Sequence, residues 1–307
     1  RTHAVSIDRT KFDQYLVEKA TKQGTDLHLG EKIVSIQTES KSVELGTANG
    51  KKTECSILIG ADGPFSKVRD LCGFPQPKAY LRGMGAIVEN IKLDPGYVEI
   101  FVGEHIAPTF FAWMIPITHD GTKARIGLCI PKHDRKTPYS YFQDLFKKFP
   151  TSSYLKNSKI IEKTGGIIPL RPLPETVKQN ILLVGDAAAQ VKPTSGGGIY
   201  MGLVSANHCV KTINKSKSSD GFSQDVLQLY HQAWRKDIGR ELMMGMQFRK
   251  IFGKLTNADL DKYIQKFNTP AIINTITEKG DIDFPSTLLK PLLKKAPSLL
   301  RLLPRII

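Results

Sequence analysis

The stretch richest in chemistry is Gly185-Asp186-Ala187-Ala188-Ala189-Gln190-Val191-Lys192-Pro193-Thr194-Ser195-Gly196-Gly197-Gly198-Ile199. It follows Ile181-Leu182-Leu183-Val184, an apolar run that reads as a buried strand. A strand ending in Gly-Asp puts the Asp186 carboxylate at the carboxyl edge of a sheet, where it can accept hydrogen bonds from sugar hydroxyls. Three consecutive glycines let backbone approach a flat ligand, and the helix beginning near Gly198-Ile199 aims its free N–H groups at that ligand. Negative charge is favoured there. The glycines alone fit a plain strand-to-helix turn; strand, Asp, Pro and glycines in this order argue for a binding site.

Three further segments carry chemistry. Ile57-Leu58-Ile59-Gly60-Ala61-Asp62-Gly63-Pro64-Phe65-Ser66-Lys67-Val68-Arg69 reads as strand, turn and helix, and a structural junction capped by Ser66 would select the same residues. Asp8-Arg9-Thr10-Lys11-Phe12-Asp13 opens a helix with Thr10 as cap and Asp13 in a variant capping box. Phe12, Leu16 and Ala20 then share a face, and Gly24 ends the helix. In Phe111-Ala112-Trp113-Met114-Ile115-Pro116 strand alternation sends Phe111, Trp113 and Ile115 to one side. That side is either an aromatic core strand or an apolar wall for a long hydrocarbon.

Together these segments resemble the geranylgeranyl reductase family of flavoproteins, whose FAD fold is that of p-hydroxybenzoate hydroxylase. The resemblance extends to about Phe252. It implies FAD as cofactor, with Asp186 on the ribityl chain and backbone of Gly197, Gly198 and Ile199 against the isoalloxazine. Asp62 and Gly63 would occupy the turn of the family's A-D-G-x-x-S-x-x-R motif. Arg9, in R-x-x-F-D, would be the cationic FAD contact, and backbone at Ile33 or Val34 would meet the adenosine end. Phe111, Trp113 and Ile115 match the aromatic motif (Y/F)-x-W-x-F-P lining the lipid site, with Ile115 where the motif has Phe. That exchange alters the tunnel's shape but not its apolar character. The activity implied is saturation of C=C bonds in geranylgeranyl chains of membrane lipids, with an unidentified electron donor and an isoprenoid lipid substrate. An aromatic hydroxylase on the same fold is the nearest alternative. His105, His119, His133 and His208 lie in no recognisable constellation, so no catalytic acid is assigned.

The elements that must position these residues predict a mixed α/β fold: a three-layer FAD-binding domain, an antiparallel-sheet substrate domain and a helical C-terminal region. The boundaries read as 1–75 and 160–215 for the FAD-binding parts, 76–159 for the substrate domain and 216–307 for the helices. Strands are predicted at Asp26–Gly30, Lys32–Thr38, Ser42–Leu45 and Thr53–Ile59, then at Met84–Ile91, Tyr97–Val102, Thr109–Ile117 and Ala124–Ile130. Tyr139–Phe149 reads as a helix, Ile160–Ile168 as a further strand, and Asn214–Asp220 as a linker. FAD folds of this type open on a G-x-G-x-x-G turn that holds the pyrophosphate. Nothing before Arg9 supplies it, so the chain is expected to be N-terminally truncated and to bind FAD poorly alone.

At 307 residues and 40% hydrophobic content the chain can bury a sizeable core. Its formal charge of +15 suits nucleic acid, an anionic membrane face or a small anion. Cations dispersed along the chain, with aromatics in apolar strands, argue against nucleic acid. The Leu/Lys-rich tail Leu288–Ile307 could rest on an anionic membrane or pack as a cap. A non-catalytic basic surface module is the remaining alternative. Cys55, Cys72, Cys129 and Cys209 form no C-x-x-C pair and read as reduced thiols, with no metal site expected. The expected location is cytoplasmic, free or peripheral at the cytoplasmic membrane face.

Overall fold

The computed structural model describes residues 5–39, 42–217 and 222–295. The chain runs α1 (Arg9–Lys22), β1 (Ile33–Thr38), β2 (Val43–Thr47), β3 (Lys52–Cys55), β4 (Leu58–Gly60) and α2 (Lys67–Leu71). Then come β5 (Ala79–Glu89), β6 (Glu99–Phe101), β7 (Ala112–Pro116), β8 (Lys123–Pro131), α3 (Pro138–Lys147), α4 (Ser152–Leu155) and β9 (Lys159–Leu170). The last part holds β10 (Val177–Lys178), β11 (Ile181–Leu183), α5 (Ile199–Lys217), α6 (Gln224–Trp234), α7 (Arg240–Phe252), α8 (Asn257–Phe267), α9 (Pro270–Lys279) and α10 (Leu289–Lys295).

Alternation along β11 explains the layering. Leu182 packs with Met201 and Cys209 of α5 and with Leu227, Tyr230 and Trp234 of α6. Its neighbours Ile181 and Leu183 pack the other way, with Val43 of β2, Val68 of α2 and Phe74. A strand covered on both faces must read as an unbroken apolar run, as this one does. Burying each such side chain contributes about 1.5–3 kcal/mol. Three layers result: the antiparallel sheet β1-β2-β3, the sheet β10-β11-β4 with β11 parallel to β4, and the helices α5 and α6.

The third sheet, β6-β7-β8-β5-β9, is antiparallel throughout. One face is closed: Ala86, Val88, Met114, Ile126 and Leu128 meet Tyr141, Phe142 and Leu145 of α3. Thr137 caps α3 by accepting from Ser140 N at 3.1 Å, and Pro138 takes the first helical position, where no donor is needed. The opposite face carries Trp113 and stays half-open. The fold is thus the mixed α/β arrangement expected, with an antiparallel sheet and C-terminal helices.

Several local expectations change. Asp8, not Thr10, caps α1: its carboxylate accepts from Lys11 N at 3.2 Å, and Thr10 lies in the first turn. Asp26–Gly30 forms no strand, because this exposed stretch between the left-handed Gly24 and Gly30 has no ladder partner among the described residues. Thr53–Ile59 divides into two strands of different sheets. Asn180 Nδ2 donates to Ser56 O at 2.9 Å at the break, and Leu58 N then bonds Asn180 O. β9 pairs with β5 as far as Leu170, so the antiparallel sheet runs past the boundary expected after residue 159. Helix α5 continues to Lys217, into the expected linker, whose remainder lies outside the described residues. Of the Leu/Lys-rich tail, α10 is described, and residues 296–307 lie outside the described residues.

Candidate functional site

The turn after β11 is held from behind. Gly185 (φ +68°) and Ala189 (φ +53°) take left-handed backbone at its two ends. The fully buried Gln190 accepts from Gly185 N at 2.8 Å through Oε1 and donates to the Tyr230 hydroxyl at 3.1 Å through Nε2. Tyr230 in turn donates to Leu183 O at 2.7 Å. This network fixes where the Asp186 carboxylate points. That carboxylate is half-buried and accepts no protein hydrogen bond among the described residues. Burial raises its pKa, opposed by the nearby Arg9 guanidinium.

Asp186 faces the start of α5. A methyl group on Gly198 would lie 2.9 Å from Asp186 Oδ1, so only glycine leaves this approach open. The turn ahead of the helix is closed by Gly196 N to Lys192 O at 2.8 Å and Lys192 N to Gly197 O at 3.1 Å, with Gly196 at φ +72°. Lys192 extends back to Ile282 O at 3.1 Å and to the Asp283 carboxylate, tying the loop to the C-terminal region. The first bond into the helix is Gly202 N to Gly198 O at 2.8 Å. Ahead of it Gly197 N donates to Ser195 Oγ at 3.3 Å, and Ile199 is 40% exposed. A carboxylate without a hydrogen-bond partner among the described residues, beside an exposed helix start, fits a ligand offering hydroxyl groups and a flat anionic edge. FAD has both, so the residues present fit it: Asp186 for the ribityl hydroxyls, and Gly197, Gly198 and Ile199 for the ring.

Asp62 has a different role. Its oxygens are occupied by Ser66 Oγ at 2.6 Å, Lys67 N at 2.6 Å and Val68 N at 3.1 Å, so it orders the turn into α2. Ser66 completes the cap by accepting from Arg69 N at 2.9 Å. Gly63 (φ +78°) has open space where a side chain would project. Arg69, unassigned by the sequence reading, connects this turn to the Asp186 turn. Its buried guanidinium donates to Pro64 O at 2.9 Å and to Ala187 O at 3.2 Å. Arg9 is ion-paired with Asp13 at 3.0 Å on the exposed first turn of α1, while remaining close enough to act on Asp186. Ile33 and Val34 begin β1 and share no hydrogen bond or apolar cluster with Asp186 or Asp62 among the described residues. The structure therefore groups Arg9 with Asp186, Gly197, Gly198 and Ile199, joins Asp62 and Gly63 to them through Arg69, and leaves Ile33 and Val34 apart.

The aromatic strand has the predicted alternation: Phe111, Trp113 and Ile115 are half-buried, Ala112 and Met114 fully buried. Phe111 stacks on Phe110 at 4.2 Å and meets Trp113 edge-on at 6.0 Å. The Trp113 indole lies over Gly127, where a methyl group would come within 2.5 Å of the ring. Strand pairing puts Gly85 beside Gly127 and Gly166 beside Gly83 on this same face. The wall therefore rises beside a floor in which four glycines sit among Cys129 and Thr164. Spacing two in Gly83-Met84-Gly85 is the signal that could have revealed this floor. Ile115 pairs with Arg125, whose guanidinium reaches Ile7 O at 3.5 Å. Ile168 joins the two halves of the site. It belongs to the apolar group of Phe111 and Trp113, and its Cδ1 fills the space a side chain on Gly196 would need. A slot of about 120 Å³ lies between Phe110, Phe111, Phe248 and Phe252 and the loop residues Pro193 and Thr194. Among the described residues no cluster of His, Cys, Asp and Glu is placed to hold a metal, and no helix is long and apolar enough to cross a membrane.

Comparison with known proteins places the chain among flavoproteins. The chain is 33% identical over 270 residues to an uncharacterized protein, MJ1520, of Methanocaldococcus jannaschii, matching 87% of the chain and 63% of that protein. It is 27% identical over 265 residues to digeranylgeranylglycerophospholipid reductase 1 of Methanococcoides burtonii, matching 83% of the chain and again 63% of the relative. The chain thus spans just under two thirds of the length of these two relatives. Among solved structures, a geranylgeranyl bacteriochlorophyll reductase-like protein of Thermoplasma acidophilum superposes with a TM-score of 0.80 at 20% identity, covering 100% of the chain and 78% of that protein. This likeness shows the shared fold. The sequence model of the FAD binding domain family matches residues 2–244, and with a match over most of its length the chain belongs to that family.

Proposed function

We propose that the chain forms the flavin-ring and lipid-binding part of an enzyme that saturates C=C bonds in geranylgeranyl chains of glycerophospholipids. The observation that carries this reading is the Ile168 junction, which sets the Gly196–Ile199 helix start against the Phe111–Trp113 wall. The relative named digeranylgeranylglycerophospholipid reductase supports the substrate class. When bound, reduced FAD supplies hydride. The chain's residues do the rest. Asp186 and the α5 start orient the cofactor, with Arg9 as a cationic contact. Phe111, Trp113 and Ile115, above the glycine floor, hold the hydrocarbon and exclude water. Exclusion matters because an isolated alkene accepts hydride at one carbon only as a proton adds to the other, and water would intercept the cationic carbon that develops. The +15 charge supports an anionic membrane face as the place where the enzyme meets its lipid, and a separate partner would deliver electrons.

The test is product mass. The full-length, flavin-loaded protein with a chemical reductant should add two hydrogens per double bond to a geranylgeranyl lipid. An unchanged lipid, with hydroxylation of a phenol in air, would replace this reading with that of an aromatic hydroxylase.

A further inference from the structure

A groove of about 480 Å³ adjoins the apolar slot, and its basic lining is one-sided: Lys78, Lys132, His133, Arg249, Lys250 and Lys254, with no Asp or Glu. Arg249 lies deepest of these, half-buried on α7. Its guanidinium lies 5.2 Å from the Phe110 ring centroid and, among the described residues, makes one long hydrogen bond, 3.4 Å, to Thr109 Oγ1. No carboxylate lies within ion-pair distance of it among the described residues. Burial lowers its pKa to about 10, the mark of a cation short of compensating charge. A guanidinium in that position suits a phosphate, whose oxygens accept its forked donors two at a time. Lys132, with its ammonium 4.8 Å from the Tyr80 ring centroid, and Lys250 stand exposed at the rim.

Arg249 and Thr109 line both the groove and the slot. The slot in turn touches Phe111 and the loop that leads into α5. We propose that this groove binds the phosphate headgroup of the lipid, with Arg249 at its inner end and Lys132 and Lys250 at its rim, so that the hydrocarbon passes Phe110 and enters beside Phe111. The proposal rests on the reductase reading for its ligand, and the chemistry recognised is a phosphate ester joined to a long apolar chain.

Binding to the flavin-loaded, full-length protein would be measured for geranylgeranylglyceryl phosphate, phosphate-free geranylgeranylglycerol and glycerol phosphate. The phosphorylated lipid should bind about tenfold or more tightly than the phosphate-free one, the gain of one charge-assisted bidentate contact. Glycerol phosphate should compete weakly and only with the phosphorylated lipid. Arg249→Met should abolish the discrimination, so that both lipids bind alike. Should that variant not fold, the surface pair Lys132→Gln and Lys250→Gln should reduce the discrimination severalfold and flatten its salt dependence. Equal binding of the two lipids by the unaltered protein would overturn the proposal, as would undiminished discrimination in the variants. Tight glycerol phosphate binding that ignores the lipids would reassign the groove to a free phosphate. Phosphate discrimination without saturation of the chain would uphold the groove and sink the reductase reading.

Discussion

The Arg69 guanidinium donates to the carbonyl of Ala187, 118 positions away in sequence, at 3.2 Å. One buried side chain thereby sets the spacing between the turn after β4 and the turn after β11, because it also donates to Pro64 O. In parallel strands it is the loops at the carboxyl ends that form a crevice, and a fixed gap between them is what a ligand requires. Arg69→Met removes both bonds and strands two carbonyls. The expected loss is about 3 kcal/mol of unfolding free energy, read from urea titration, together with weakened FAD binding.

Asp186 invites a test in which stability and binding move in opposite directions. Burial raises its folded pKa, so the penalty is absent when both folded and unfolded forms are protonated. It grows as pH rises from the unfolded pKa through the folded one. Asp186→Asn should therefore stabilise the flavin-free protein at pH 7, with the gain vanishing towards pH 3, in paired thermal melts. FAD affinity should fall about 10- to 100-fold with loss of a charged acceptor.

Gly198→Ala tests the approach itself. Its methyl group would crowd Asp186 Oδ1, and the backbone there is not left-handed, so folding should be little changed while flavin binding drops. Calorimetric titration of FAD into the variant and the parent decides between this and a merely conformational role, which would lower the melting temperature and spare affinity.

Gly127→Ala addresses the wall. The added carbon has backbone at 2.9 Å, Met84 O, as well as the indole, so Trp113 must move. We expect a shift in tryptophan emission and at least a tenfold fall in turnover of long-chain substrate, with flavin affinity unchanged. Trp234 is buried between α6 and β10, away from the change, and provides a constant background.

A pH dependence should come from His231. Burial, with Arg235 nearby, lowers its pKa, and its ring nitrogen bonds Thr176 Oγ1 at 2.9 Å. The folded state therefore prefers neutral imidazole, and its contribution is complete above the unfolded pKa of about 6.5 and lost as pH falls through and below it. Denaturation midpoints should decline between pH 7.5 and pH 5.5, and His231→Gln should flatten that decline.

Much of this site was legible because its residue types admit few alternatives. An apolar strand that stops at Gly-Asp before three glycines can do little else, and alternation through Phe111 and Trp113 survives whichever strands flank it. What stayed hidden depends on tertiary neighbours. Arg69 looked like the end of a motif, and nothing local says that its guanidinium would meet Ala187. The Gln190 and Tyr230 network is invisible for the same reason, since its members come from the turn and from α6. The adenosine contact assigned to Ile33 or Val34 came from resemblance alone, and the structure gives those two residues only a place in β1. Asp26–Gly30 failed because extended residues become a strand only when a neighbour offers a ladder.

The central claim is that the Asp186–Ile199 cradle and the Phe111–Trp113 wall serve one reaction, in which hydride passes to a bound geranylgeranyl chain. Its most direct measurement is a single turnover without oxygen: full-length protein holding reduced FAD is mixed with a geranylgeranyl lipid and flavin absorbance is followed. The oxidised flavin band should return in step with the appearance of saturated lipid. A flavin that stays reduced until air is admitted would contradict it.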